Sequence, residues 1–366
     1  MKYIKELDSL RAIAILLVII GHWSPPGSIL QKLFDADFGV NIFFVLSGFL
    51  ITWILLTNRE RASSNGEGKL SVIGNFYIRR TLRIFPIYYL CIIFFVFFPK
   101  DLIDDSSVYP WLFTYTTNLY FFIIQRWDGH ISHLWSLAVE EQFYLLWPSV
   151  MLFTNEKYLR YVILTFIGMG VCCQFFFISR PMINFFTISC FSAFGAGAFL
   201  AYLFVYEPNT IIKFLKFLKF PAIVALVLII FGVFQSRWSS LPMQRVLHSI
   251  LALYTITYII LKREKGAVRF NFIWKSKVMI LIGKISYGLY LYHGFVPFLV
   301  SNFMQKNFHF RPENELNPIV FFLFKCVVVF VVSLLSWMII EKPLLSLKKH
   351  FEYNKQKNAK PAIITI

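Results

Sequence analysis

LDSLRAIAILLVIIGHW, residues 7–23, is an apolar helical stretch with an arginine near its start and a histidine near its end. Arg11 and His22 are eleven residues apart. At 3.6 residues per turn both side chains return to one helix face, about 16 Å apart along the axis. That is roughly half of the hydrocarbon core of a bilayer. A guanidinium and an imidazole on one face of a membrane helix are costly to keep there, and such groups mark function. Lys2 and Lys5 before a short apolar run resemble a secretory signal, but no small-residue cleavage site follows, and Asp8 and Arg11 intrude. The segment is therefore read as a retained helix.

The same character extends over all 366 residues, which are 58% hydrophobic, 19% aromatic and only 15% charged. This composition excludes a disordered or ordinary soluble protein and predicts an all-α integral membrane protein. Hydropathy places about ten spans, near residues 7–23, 38–56, 84–98, 140–154, 161–178, 187–205, 219–234, 243–261, 278–300 and 318–340. Several are short for a bilayer, so their ends extend into polar flanks or are shielded within the bundle. The formal charge of +17 raises the question of nucleic acid. Most lysines and arginines, however, fall in alternate loops on one side, while Asp and Glu split almost evenly. The basic excess is thus mostly an orientation signal; it predicts both termini in the cytoplasm and no nucleic-acid partner.

Residues 1–345 are expected to form one transmembrane domain, and 346–366 a basic tail, mobile on an anionic inner leaflet. The EKP at 341–343 is expected to end the last helix, because proline disfavours helix at the preceding residue. The outer segment 99–139, acidic at Asp101, Asp104 and Asp105, carries apolar patches that predict folding back onto the bundle. Cys91, Cys172, Cys173, Cys190 and Cys326 all fall in spans without a C-x-x-C, so neither a disulfide framework nor a thiolate metal site is implied. No internal repeat and no appended soluble domain are expected.

Four constellations carry candidate chemistry. His22 has an imidazole suited to general-base work, although Trp23 beside it also suits an interfacial anchor, and Asp8 is placed to pair with Arg11. In FYIRRTLRIFPIYY (76–89), Arg79, Arg80 and Arg83 satisfy positive-inside topology, yet Arg80 and Arg83 share a helix face and two guanidinium forks suit a polyphosphate. SHLWSLAVEEQFYLLWP (132–148) places His133, Trp135, Glu140, Glu141 and Tyr144 at one span entrance. Only one of the adjacent carboxylates is expected to face the bundle, and His130 and His133 lack a third ligand at a metal-binding spacing. FGVNIFFVLSGFLIT (38–52) contributes Ser47 and Gly48, and IGKISYGLYLYHGF (282–295) contributes Ser286, Tyr287 and a deep His293. Small residues there suit close helix packing. Ser47 lacks a nucleophile-elbow context.

Together these segments resemble acyltransferase family 3, a family of membrane acyltransferases. The matching pieces are LDSLRAIAILLVIIGH, FFVLSGFLIT, RRTLRIFPIYY, HLWSLAVEEQFYLLWP, ISYGLYLYH and EKP, in the family's order and spanning nearly the whole chain. The resemblance implies a ten-helix bundle in the cytoplasmic (inner) membrane. It would move an acyl group, usually acetyl, from cytoplasmic acyl-CoA to a hydroxyl of a cell-envelope glycan or glycolipid. The family's basic-residue-to-histidine motif matches Arg11 and His22, its arginine pair Arg80 and Arg83, and its tryptophan–glutamate motif Trp135 and Glu140. Many members carry Asp where Asn41 stands, so that position is assigned no charge role. Acetyl-CoA is the implied donor, held by Arg80, Arg83 and Arg79, and no metal is implied. His22 would act as base or as an acyl relay, with Glu140 orienting a histidine or the sugar. The rival readings are a transporter or flippase of a glycan or anionic metabolite, for which ten helices and buried charges are equally ordinary, and a scaffold of glycan synthesis.

Overall fold

The protein is described here by a computed structural model covering residues 3–25, 27–65, 68–97, 102–127, 129–234, 242–263 and 271–351. Among these residues every regular element is a helix. In chain order they are α1 (Lys5–Trp23), α2 (Ile29–Leu33), α3 (Ala36–Asn65), α4 (Lys69–Phe97), α5 (Tyr109–Phe113), α6 (Thr117–Ile124), α7 (Trp135–Phe153), α8 (Glu156–Phe176) and α9 (Phe191–Tyr206). Then follow α10 (Ile211–Phe234), α11 (Pro242–Arg263), α12 (Asn271–Trp274), α13 (Lys277–Lys284), α14 (Ser286–Tyr292), α15 (Val296–Phe308), α16 (Pro312–Glu315), α17 (Pro318–Ser336) and α18 (Lys342–Ser346).

Among the described residues seven stretches are long and apolar enough to cross a membrane: Ile29–Glu60, Lys69–Phe97, Glu156–Phe176, Thr187–Tyr206, Pro208–Phe231, Gln244–Arg263 and Pro318–Ser346. They coincide with seven of the ten expected spans. Two more, the first and fourth, are the continuous helices α1 and α7, whose apolar character is diluted by Asp8 and Arg11 and by Glu140 and Glu141. The ninth is not one helix: it breaks at Ile285 between α13 and α14, and again over His293–Phe295 before α15.

Local chemistry sets several boundaries. The Asn155 side chain accepts the Lys157 N–H to cap α8, and Asn317 accepts the Ile319 N–H ahead of Pro318 in α17. The EKP does not stop the last helix as expected. A π-helical turn, Trp337–Glu341, leads directly into α18. Pro343 is the second residue of α18, and the π-helical turn just before it lies where its missing N–H and its ring interrupt the regular ladder. At the start of the tail, residues 347–351 form a further turn, and Arg79 donates to the carbonyls of Lys348 and Phe351 at 3.0 and 3.1 Å. Residues 352–366 of the tail, and Asp101, lie outside the described residues.

Packing follows small residues, as expected for helices without a hydrophobic force between them. α3 and α9 meet so closely that a Cβ added at Gly48 would lie 2.0 Å from the Phe194 carbonyl oxygen. One at Gly197 would lie 2.0 Å from that of Val45. α13 closes on α1 in the same way, Gly283 facing the Asp8 carbonyl. A run of rings, stacked from Phe44 through Phe194 and Phe143 to Trp147 and then tilted against Phe166, fills the core beside this contact. The segment after α4 does fold back on the bundle: Tyr88 and Tyr89 donate to the carbonyls of Leu112 and Phe113, and Tyr109 to that of Phe95.

Candidate active site

Two cavities are stacked along α1. The first contains Arg11, Arg80, Arg83, Glu140, Glu141, Ser47, Tyr144, Ser286, Tyr287 and Tyr290 in its lining, around some 760 Å³ of unfilled space, its mouth included. Arg11 is held by Asp8 at 2.5 Å, and Asp8 also accepts from the Tyr3 hydroxyl. The Arg80 guanidinium lies 5.0 Å over the Tyr144 ring and 5.6 Å over Phe76, which fixes its plane without spending its donors. Glu140 accepts from Ser47 at 3.1 Å through Oε1 and from the Tyr144 hydroxyl at 3.0 Å through Oε2. The Glu141 Oε1 is buried without a hydrogen-bond partner. Both neighbouring carboxylates thus line the cavity, rather than one alone. Three guanidinium groups in one cleft suit a polyphosphate.

The second cavity, about 1210 Å³ including its mouth, includes His22, Trp23, Trp127, His130, His133, His293, Phe298, Glu313 and Lys325 in its lining. His22 is exposed to it, although it stands on a helix otherwise packed on several sides. The broken ninth segment explains the geometry here. Where α14 ends, its last carbonyls have no helical partner. Backbone N–H groups satisfy Leu289 and Tyr292, from His293 and Phe295 respectively. Side-chain rings satisfy the others: His293 Nδ1 lies 2.7 Å from the Tyr290 oxygen, and His133 Nε2 lies 3.1 Å from that of Leu291. The Trp23 indole N–H donates to the His293 carbonyl at 3.3 Å.

Because a carbonyl oxygen only accepts, these contacts determine the tautomers of the neutral rings. His293 carries its proton on Nδ1, which leaves a lone pair on Nε2. That lone pair is 3.1 Å from His22 Nδ1, so His22 donates there. The His22 lone pair is thereby placed on Nε2. The two rings stack at 5.1 Å, and His133 meets His293 edge-on at 4.6 Å. Both ring nitrogens of His293, His22 Nδ1 and His133 Nε2 are committed to these hydrogen bonds. Among the described residues no three His, Cys, Asp or Glu side chains are placed to hold a metal ion.

Tyr290 lines the first cavity and touches His133 and His293 of the second. Its hydroxyl donates to the His133 carbonyl at 3.0 Å and receives the Ser136 hydroxyl at 2.5 Å, with Phe43 edge-on to its ring. Of the residues expected at the site, Arg11, Arg80, Arg83, Ser47, Glu140, Glu141, Tyr144, Ser286 and Tyr287 gather in the first cavity, and His22, His133 and His293 in the second. Glu140, expected beside a histidine or sugar, lies instead with the arginines. Arg79 is absent from both linings and is bound to backbone carbonyls of the C-terminal turn. Trp135 is buried between Phe44 and Phe185 and has a packing role.

The motifs did not single out Tyr290, Lys325 or Lys348. Lys325 is nonetheless the sole charged residue of α17. Half-buried Lys348 is pushed down to about 6, first by burial and then by repulsion from Arg83, Arg80 and Arg79, which marks the intensity of positive charge at the arginine cavity.

No solved structure matches this chain. Over 368 residues, 94% of the chain, it is 26% identical to the O-acetyltransferase OatA of Staphylococcus aureus, of which the match covers 57%. It is 35% identical over 192 residues to the peptidoglycan O-acetyltransferase OatA of Listeria monocytogenes, a match covering 46% of this chain and 28% of that protein. The matches thus cover 57% of the first of these relatives and 28% of the second, so the chain spans only part of their length. The acyltransferase domain family matches residues 4–338, nearly the whole chain, and with the stacked arginine and histidine cavities in view this places the protein in that family of acyltransferases.

Proposed function

We propose that the protein is a multi-pass O-acyltransferase of the cytoplasmic membrane, moving an acetyl group from cytoplasmic acetyl-CoA to a hydroxyl of a cell-envelope glycan. The observation that carries this reading is the pair of cavities joined by α1, with a cluster of guanidinium groups in one and a tautomer-defined histidine in the other. The O-acetyltransferases to which the chain is similar point to the same chemistry. Ten membrane segments with both termini in the cytoplasm are supported by the basic loops and by the binding of residues 348–351 next to the arginine cavity.

In this mechanism Arg80, Arg83 and Arg11 hold the CoA phosphates, and the pantetheine arm runs past Tyr290 to bring the thioester to His22. The acceptor hydroxyl gives its proton to His22 Nε2 as its oxygen attacks the thioester carbonyl. The carbon–sulfur bond then breaks, and the thiolate recovers that proton from the imidazolium. His293 stabilises the imidazolium by accepting from its Nδ1, and passes polarisation on to the Tyr290 carbonyl. Glu140 locks Ser47 and Tyr144 in place beneath Arg80. A covalent acyl-histidine step uses the same atoms and would be revealed by a burst of CoA release.

The test is mass spectrometry of envelope glycans from cells lacking the protein, restored with wild type or with His22→Ala at equal membrane abundance. An acetyl mass shift that appears with wild type and falls by about 100-fold or more with His22→Ala is expected. A shift that survives in the variant removes His22 as base. No shift with wild type, and no acetyl-CoA turnover by the purified protein, favours transport instead.

A further inference from the structure

We propose that the histidine cavity selects acceptors bearing a negative charge, a carboxylate or a phosphate, and that Lys325 receives it. This names the acceptor class of the reaction proposed above and rests on that reading. Lys325 is the sole charged residue of α17, seven residues from its Pro318 end. An ammonium group within an apolar span is costly unless something is gained by it. Its side chain does not turn to the lipid side: it lines the cavity that holds His22, His133 and His293. The ammonium sits 4.9 Å over the Trp23 ring and 4.8 Å over Phe321.

Two aromatic faces hold a cation in position but do not saturate its three N–H donors. Among the described residues no carboxylate lies within ion-pair distance of it, Glu313 included, although Glu313 lines the same cavity. The Trp23 indole donates to the His293 carbonyl at 3.3 Å, so one ring separates the ammonium from the histidine cluster. A ligand whose hydroxyl reaches His22 can thus place an anionic group on Lys325. The donor does not need it, because its phosphates are matched by the guanidinium groups of the other cavity, and a neutral sugar would leave the ammonium unpaired. Trp127 and the stacked pair of His130 and Phe298, 4.1 Å apart, provide faces for the sugar ring. Burial lowers His130 below the ordinary imidazole range, so it is uncharged at neutral pH and Lys325 dominates the positive charge there.

The test compares purified wild type, Lys325→Gln and Lys325→Arg, with acetyl-CoA as donor and methyl glucoside, methyl glucuronide and glucose 1-phosphate as acceptors. Wild type is expected to favour at least one charged acceptor over methyl glucoside by about tenfold in kcat/KM, the scale of one charge-assisted hydrogen bond. Lys325→Gln should abolish that preference while acetylating methyl glucoside within about twofold of wild type, and Lys325→Arg should keep most of it. Which charged acceptor responds distinguishes carboxylate from phosphate. Equal acetylation of all three by wild type overturns the proposal. So does an equal loss on all acceptors in Lys325→Gln, which would assign the lysine to the reaction centre or to folding. Affinity for the same three compounds without donor is measured in parallel. If wild type turns nothing over, the acyltransferase reading fails by itself, and the charge preference still stands or falls on these affinities.

Discussion

At the scale of single residues, the geometry assigns protons to the histidine rings. His22 is useful as a base only if its lone pair faces the cavity, and nothing in His22 itself ensures this. The Tyr290 carbonyl takes the His293 Nδ1 proton, and His293 Nε2 then takes the one on His22 Nδ1. A substitution at His293 should therefore act through His22. His293→Leu fills similar space but deprives His22 of its acceptor. It should lower kcat by about 100-fold or more, the scale of a general-base contribution lost when the imidazole is no longer oriented, and leave KM for acetyl-CoA unchanged. His293→Gln, which offers a carbonyl oxygen and an N–H, should recover part of the rate. Equal losses in both variants would show that ring packing, and not the hydrogen bond, is what His293 supplies. The residues Arg11, His22, Arg80, Arg83 and Glu140 were legible from their motifs; their division between two cavities was not, and Arg79 was diverted to the C-terminal turn because its guanidinium found carbonyls there.

At the scale of elements, the bundle depends on backbone approach. α3 and α9 touch through reciprocal glycines, each facing a carbonyl of the other helix. Gly197→Ala should destabilise the purified protein by more than the usual 1–3 kcal/mol of an overpacked core, because its Cβ would stand 2.0 Å from the Val45 oxygen and backbone must move. Gly168→Ala is the control: its Cβ meets nothing within 4 Å, so it should be neutral or slightly stabilising through helix propensity. Thermal unfolding in detergent, followed by loss of monodisperse protein, reads both. Equal melting temperatures for the two variants would show that α3 and α9 are free to separate. The small residues were visible in FVLSGFLIT, but their partner on α9 was not, since pairing across about 150 positions leaves no local periodicity.

At the scale of the molecule, orientation would decide which cavity faces the proposed cytoplasmic donor. In a variant without its native cysteines, Arg126→Cys should react with a membrane-impermeant maleimide on intact cells, and Lys275→Cys only after permeabilisation. Both positions are exposed. The reverse pattern would turn the protein over in the membrane and place the arginines away from cytoplasmic CoA. The amino-acid sequence by itself determined a helical membrane protein, most of its segment positions and the identities of its charged intramembrane residues, because hydropathy and charge are properties of neighbouring residues. Only the tertiary structure decided that the ninth segment breaks, that the break exposes carbonyls to His133 and His293, and that His22 therefore keeps its lone pair on Nε2. Those outcomes belong to hydrogen bonds between groups as far apart as 271 residues, which form only when α1, α14 and the segment leading into α7 are packed together.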